Sequence, residues 1–295
     1  YSLETVELNS NYSVTNFKKI FNTYNSIDHV ILGKEVTYID SSSFSDCRFE
    51  SILISNSVQE IGNDAFSNCQ YLNSITIGNS VRSFGLNCFA SCYLLKSIII
   101  PDSVVSIGDS SFNSDQNLES IYIGSGLESI GENSFHGCLK LASINVSKDN
   151  QMFSSFDGLL YIKNFTILEE IPKGKSGTLI LHDNLTLIPE DAFYSLINLT
   201  SVAIGNSVIS IGDWSFYGCN GLTSLTIPPS VTSIGNHAFK RCEGIISLKI
   251  PSSVTAIGES SFEKCTGLTS LEISSKLKTI PNCAFQNCCG ITSLI

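Results

Sequence analysis

Phenylalanine returns on a clock in this chain. Phe44, Phe66, Phe89, Phe112 and Phe135 are followed by Phe193, Phe216, Phe239, Phe262 and Phe285, and the successive spacings are 22, 23, 23, 23, 58, 23, 23, 23 and 23. The long step from Phe135 to Phe193 is one period with an insertion added, and Phe21 lies one period before Phe44, where it marks a degenerate first unit. A fixed period in this range belongs to stacked repeat architectures, in which each unit buries its apolar face only against its neighbours.

One unit shows what each slot does. In Cys242 to Phe262, Ile245, Leu248 and Ile250 make an L-x-x-L-x-L phrase, followed by Val254, Ile257, Gly258 and Phe262. The same slots recur at Leu268, Leu271, Ile273, Leu277, Ile280, Phe285 and Cys288, and at Leu72, Ile75, Ile77, Val81, Phe84, Gly85, Phe89 and Cys92. The Leu-x-Ile alternation reads as a short strand with one buried face. The Pro-Ser-Ser or Gly-Asn-Ser that follows is turn chemistry. Val-x-x-Ile reads as a second extended stretch across the coil. The recurrent glycine suits a positive φ, and Ser/Ala-Phe-x-x-Cys suits at most one helical turn with Phe as core plug. The expected fold is a leucine-rich repeat solenoid: mostly short parallel β-strands with turns and single helical turns, in a right-handed curved array. About eleven coils at ~4.8 Å make a ladder on the order of 50 Å long.

The clock divides the chain into residues 1–20, a degenerate cap or first unit; 21–146, a first array; 147–177, an insertion; and 178–295, a second array. In the insertion, Phe156-Asp157-Gly158 is a turn signal. Leu159-Leu160-Tyr161-Ile162 and Thr166-Ile167-Leu168 flank Lys163-Asn164-Phe165 as a hairpin. The segment reads first as a spacer joining two arrays and second as a protruding contact element. Ile291 to Ile295 read as the opening of a further unit, so the second array is expected to be truncated; the only methionine is Met152, so Tyr1 is not an initiator.

Composition narrows the function. The net charge of -10 comes with no basic run, which argues against nucleic acid and against electrostatic binding to an anionic membrane. No apolar run approaches the ~18 residues of a membrane span.

The phrase Ser230-Val231-Thr232-Ser233-Ile234-Gly235-Asn236-His237-Ala238-Phe239-Lys240-Arg241-Cys242 resembles the signature of the BspA-like leucine-rich repeat proteins. Phe156 to Tyr161, followed by Pro172-Lys173-Gly174-Lys175, resembles an interruption common in that family. The likeness runs from about Phe21 onward and rests on ten good copies. It implies a surface or secreted protein that adheres to host cells or extracellular matrix, through a host protein or glycan. It carries over no fixed binding residues.

No catalytic constellation, cofactor motif or metal site emerges. The chain has no G-x-S-x-G and no H-E-x-x-H, and Gly174-Lys175-Ser176 fails as a phosphate loop because Glu169 stands where its first glycine belongs. His29, His136, His182 and His237 fall in different slots and read as surface or turn residues. Of eleven cysteines, Cys47, Cys69, Cys92, Cys138, Cys219, Cys242, Cys265 and Cys288 follow the clock phenylalanine by three positions. This is a ladder of small apolar side chains, in which Asp115 and Leu196 replace cysteine. Cys283 and Cys289 are off the ladder and could pair with each other.

Binding is expected on the strand face. Its first outward position is a serine row: Ser51, Ser74, Ser97, Ser120, Ser143, Ser201, Ser224, Ser247 and Ser270. The second varies: Ile31, Leu53, Thr76, Ile99, Tyr122 and Asn145, then Ala203, Thr226, Lys249 and Glu272. Repeat arrays present variable residues on a fixed concave scaffold. The candidate contacts are Ile31, Leu53, Thr76, Ile99, Tyr122, Lys249 and Glu272, although β-branched residues also simply suit strands. Sequons at Asn11, Asn145, Asn164, Asn184 and Asn198 are candidate glycosylation sites. Three functions follow: a non-enzymatic surface adhesin, a self-associating surface-coat module, and, more weakly, an intracellular scaffold.

Overall fold

The computed structural model describes residues 5–9 and 27–294. Phe21 and Asn11 lie outside them. The chain divides between Ser154 and Ser155 into two compact units.

The first unit stacks short strands in parallel. Thr5–Leu8, His29–Leu32, Ser51–Leu53 and Ser74–Thr76 form one sheet, and Ser97–Ile100, Ser120–Ile123 and Ser143–Val146 a second. Val-x-x-Ile supplies the other wall, a five-stranded sheet of Tyr38–Ile39, Glu60–Ile61, Ser83–Phe84, Ser106–Ile107 and Ser129–Ile130. The second unit repeats the plan. Gly177–Ile180, Leu199–Ala203 and Ser224–Leu225 make one strand face, and Ser247–Lys249, Ser270–Glu272 and Ser293–Leu294 another. Leu187–Ile188, Ser210–Ile211, Ser233–Ile234 and Ala256–Ile257 pair opposite.

Between the walls the clock phenylalanines form a column. Phe44, Phe66, Phe89 and Phe112 are fully buried, with successive ring centroids 5.2, 5.2 and 5.6 Å apart and interplanar angles of 1°, 4° and 9°. Phe193, Phe216, Phe239 and Phe262 form a matching column at 4.4, 4.9 and 5.3 Å. Ring quadrupoles prefer offset or edge-on contacts. Here the strand repeat of about 4.8 Å sets the separation, which leaves the centroids in the offset-stacked range, and edge-on Phe49 and Phe84 close the column's flank.

The segment around each phenylalanine is not a helical turn. It is a chain of tight turns in which two residues per coil, two before and two after the phenylalanine, have positive φ: Asp64 and Asn68 around Phe66, Asn87 and Ser91 around Phe89, Ser110 and Ser114 around Phe112. Short polar side chains tolerate that region best. The reversal aims backbone groups at the next coil, so the Phe66 amide donates to Cys88 O at 2.8 Å and the Phe89 amide to Ser111 O at 2.8 Å. Among the described residues, the helical element is a 3-10 turn at Lys163–Phe165.

The glycine after the isoleucine therefore has another cause than a positive φ. A Cβ on Gly85 would lie 2.5 Å from Asn63 N, and one on Gly258 2.3 Å from Asn236 N. Both glycines keep an ordinary φ. The slot is closed by the backbone of the preceding coil, to which the Gly85 amide donates through Ile61 O at 2.8 Å.

The thiol ladder is a hydrogen-bond ladder. Cys69 Sγ donates to Phe44 O at 3.0 Å, Cys92 Sγ to Phe66 O at 3.3 Å and Cys242 Sγ to Phe216 O at 3.0 Å, each reaching back one coil. None of the cysteines is in a disulfide among the described residues, and Cys283 and Cys289 are exposed and unjoined.

The insertion is more regular than a single hairpin. Phe153–Phe156, Leu159–Ile162 and Leu168–Glu170 form a three-stranded sheet in that order. Asp157 and Gly158 join the first two with φ of 50° and 72°, the conformation a two-residue hairpin turn favours. Leu159–Ile162 pairs antiparallel with Leu168–Glu170, beyond the expected Thr166, and the ladder carries a bulge. Leu159, Tyr161, Leu168 and Ile171 join the core of the second unit. The His182 ring lies 3.9 Å from Phe165, stacked, and 5.1 Å from Phe156, edge-on, while its backbone amide donates to Tyr161 Oη at 3.3 Å.

Candidate functional site

The period-two pleat turns Val30, Ile52, Ile98 and Ile121 inward and leaves their neighbours outward. Parallel register lines those neighbours up: Ile31 beside Leu53, Leu53 beside Thr76, Ile99 beside Tyr122, and Tyr122 beside Asn145. Ile99 is 67% exposed, Leu53 44% and Tyr122 43%, whereas Ile31 is half-buried. The serine row runs alongside, with Ser97 beside Ser120 and Ser120 beside Ser143. His29 heads it on the strand face, its Nδ1 2.8 Å from Ser51 Oγ. Large apolar groups thus stand above a floor of small hydroxyls.

In the second unit Lys249 and Glu272 are register partners, and their charged ends meet at 2.6 Å. Both are solvated, so the pair stabilises the fold little, and each largely cancels the other toward a charged ligand. Ala203 and Thr226 are exposed and small. Ile180, the register partner of Ala203, is 49% exposed. It belongs to the same row, but the insertion breaks the count at that point and hides it. Tyr71 and Leu94, 48% and 44% exposed, lie at the corner before the strand. The Arg48 guanidinium sits 5.9 Å over the Tyr71 ring. The Cys-x-Tyr and Cys-x-Leu spacing is the sequence signal that places them.

The sequons differ in setting. Asn145 is exposed on the strand face and its side-chain amide reaches Ser143 Oγ at 3.5 Å. Asn184 is exposed and spends its Nδ2 on Asn164 O at 3.1 Å, which ties the insertion to the following coil. Asn164 and Asn198 are exposed as well.

Burial pushes the Cys69, Cys92 and Cys242 thiols well up, so they stay protonated and poor nucleophiles. Burial also raises Glu170 to about 7, against the attraction of Lys173. Among the described residues, no three His, Cys, Asp or Glu side chains come together to hold a metal, and no helix is long and apolar enough to cross a membrane.

A profile described as BspA type leucine rich repeat region, in 6 copies, matches residues 1–62, 37–159 and 180–295. A leucine-rich repeat protein from Bacteroides ovatus ATCC 8483 is similar at 27% identity and TM-score 0.64, over 91% of this chain and 78% of that one. A leucine rich cell surface protein from Faecalibacterium prausnitzii A2-165 shares the fold at 23% identity and TM-score 0.54, over 90% and 87% of the two chains. The pneumococcal vaccine antigen PcpA shares it at 18% and 0.57, over 91% and 67%. No curated protein matches the chain.

Proposed function

Because the chain belongs to the BspA-type leucine-rich repeat family, we propose that it is a non-enzymatic binding protein of a cell surface or the extracellular space, adhering to a host-cell or matrix protein through the strand face of its first unit. One observation carries the reading. Ile99 and Tyr122 stand exposed as register neighbours, with Leu53 exposed in the same row on the other side of Thr76 and a row of serines alongside. Exposed apolar side chains that adjoin in space mark interaction surfaces more often than scattered ones, and tyrosine is a favoured anchor of such surfaces. The same fold serves in a cell surface protein of Faecalibacterium prausnitzii and in a pneumococcal vaccine antigen, which supports the placement outside the cell.

The experiment is binding of the purified chain to immobilised matrix proteins and to host cells, with and without Ile99→Ser and Tyr122→Ser. Saturable binding is expected, each substitution weakening it by about 2 kcal/mol, the scale of an interface hot spot. Binding that ignores both substitutions moves the contact elsewhere. No binding, with association that grows with protein concentration, replaces the adhesin by a self-assembling coat module.

A further inference from the structure

The charge of the chain is not shared evenly between its two units. Tyr1–Ser154 hold 16 aspartates and glutamates against 8 lysines and arginines, a formal net of -8. Ser155–Ile295 hold 11 against 9 and are close to balance. Charge of one sign gathered on one body raises the local concentration of oppositely charged partners and speeds their encounter. The unit with the exposed apolar row is the one with such a field.

Part of that charge frames the strand face. A row of exposed residues precedes the serines, one to a coil: Glu50, Asn73, Lys96 and Glu119. Backbone bonds between coils align it, the Asn73 amide donating to Glu50 O at 2.8 Å and the Glu119 amide to Lys96 O at 2.7 Å. On the other side of the apolar row, Asp102 is exposed in the turn that follows the strand of Ile99, where its Oδ1 accepts the Ser125 amide at 2.7 Å. Glu50, Lys96, Asp102 and Glu119 take part in no ion pair among the described residues. Lys96 offsets one of the three carboxylates and leaves two unbalanced. On the strand face of the second unit, by contrast, Lys249 and Glu272 meet at 2.6 Å and cancel.

An apolar row bordered by unpaired carboxylates selects its partner by charge. An acidic protein or a sulfated glycan meets like charge at both edges, and juxtaposed like charges suppress wrong partners. Resting on the reading that this face is the adhesive one, we propose that it docks a basic polypeptide segment of the partner, whose apolar side chains sit on Leu53, Ile99 and Tyr122 and whose lysines or arginines reach Glu50, Glu119 and Asp102. Arginine in particular can hold a carboxylate with two parallel hydrogen bonds. The two kinds of contact divide the work. Charges at a rim set the association rate and its salt dependence, whereas apolar anchors at the centre act mainly on the dissociation rate. The carboxylates are solvated, so their reach is limited to the Debye length of about 8 Å at physiological ionic strength, and adhesion weakens as salt is added.

The test records association and dissociation rates of the full chain on two immobilised probes, a short alternating lysine–leucine peptide and its glutamate–leucine twin, and on the matrix proteins of the adhesion assay. Binding to the basic peptide and not to the acidic one is expected, with association slowing as salt is raised. Glu50→Gln combined with Glu119→Gln should slow association about fivefold and leave dissociation unchanged. Tyr122→Ser should speed dissociation about tenfold. Glu60→Gln combined with Glu128→Gln removes the same charge from exposed positions on the opposite wall and should slow association far less. The proposal is overturned if the basic peptide does not bind, if the acidic peptide binds as well, or if the pair on the opposite wall matters as much, which would make whole-molecule charge the cause. Matrix adhesion that needs Tyr122 but ignores Glu50 and Glu119 overturns the basic partner and leaves the adhesive face standing. A chain that holds the basic peptide through Tyr122, Glu50 and Glu119 but adheres to no matrix protein or cell keeps the docking chemistry and loses the adhesin.

Discussion

Asp115 Oδ1 accepts the Cys92 backbone amide at 2.7 Å from the slot in which most other coils place a thiol. The replacement changes the chemistry of the rung. A cysteine there donates to the phenylalanine carbonyl of the coil before, as Cys92 does to Phe66 O. A carboxylate has no proton to donate, and Asp115 Oδ2 is buried without a partner. Burial pushes the carboxyl well above its ordinary range, and only the Cys92 amide pulls the other way.

The sign of the linkage follows. A carboxyl whose pKa is raised on folding favours the native state below its unfolded value of about 3.9, and that advantage is lost as the pH rises toward the folded value. Asp115 is therefore a penalty at neutral pH. Asp115→Cys should restore the Sγ–H donor to Phe89 O and stabilise the chain by about 1–3 kcal/mol at pH 7, the scale of a buried unsatisfied group. Its advantage over the parent should shrink as the pH falls toward 4. Denaturant unfolding of both proteins at pH 4 and pH 7 checks this. An equal difference at the two pH values would mean that Asp115 is charged at both.

Two glycines separate close approach from backbone conformation. Gly85→Ala puts a methyl 2.5 Å from Asn63 N and 2.6 Å from Gly62 C, neither of which can rotate away. The coils must part, and a loss of about 3 kcal/mol is expected, the upper range for overpacking. Gly177 has φ of +72° and nothing within 4 Å of its Cβ position. Gly177→Ala should cost only the left-handed penalty of about 1–2 kcal/mol. Unfolding midpoints of the two variants decide; a larger loss at Gly177 would refute the stacking account of the repeat glycine.

What the sequence reveals depends on whether a feature shares the period. The slots of Phe66, Ile98 and Ser120 recur in step because each coil must bury and pair the same groups as its neighbour, so slot and role can be read together. The repeat glycine shares the period too, but its cause does not show. A close backbone approach and a positive φ select the same residue, and only the Gly85 to Asn63 distance separates them. The left-handed turns leave a signal at Asp64, Asn68, Asn87 and Ser91, which Trp214, His237 and Arg241 obscure in later coils. Features outside the period are harder to read. Phe153–Phe156 lacks the apolar alternation of a strand and forms one by pairing within the insertion. Ile180 joins the outward row only once that insertion is placed.

The candidate strand face makes a prediction that needs no identified partner. Tyr122 and Asn145 are register neighbours and both point outward. Adjacent strands lie about 4.8 Å apart, so a glycan attached to Asn145 Nδ2 would stand over the Tyr122 ring. Chain expressed in cells that glycosylate Asn-Val-Ser should therefore show Tyr122 protected from tetranitromethane, with peptide mapping separating it from Tyr38, Tyr71 and Tyr194, which are also exposed. Ser147→Ala removes the acceptor motif without touching either residue and should restore nitration of Tyr122. On the same protein, adhesion to matrix should fall with occupancy at Asn145 and recover in Ser147→Ala. Protection of Tyr122 with undiminished adhesion would place the contact outside this row, and nitration of Tyr122 in fully occupied protein would mean that the glycan turns away from the face.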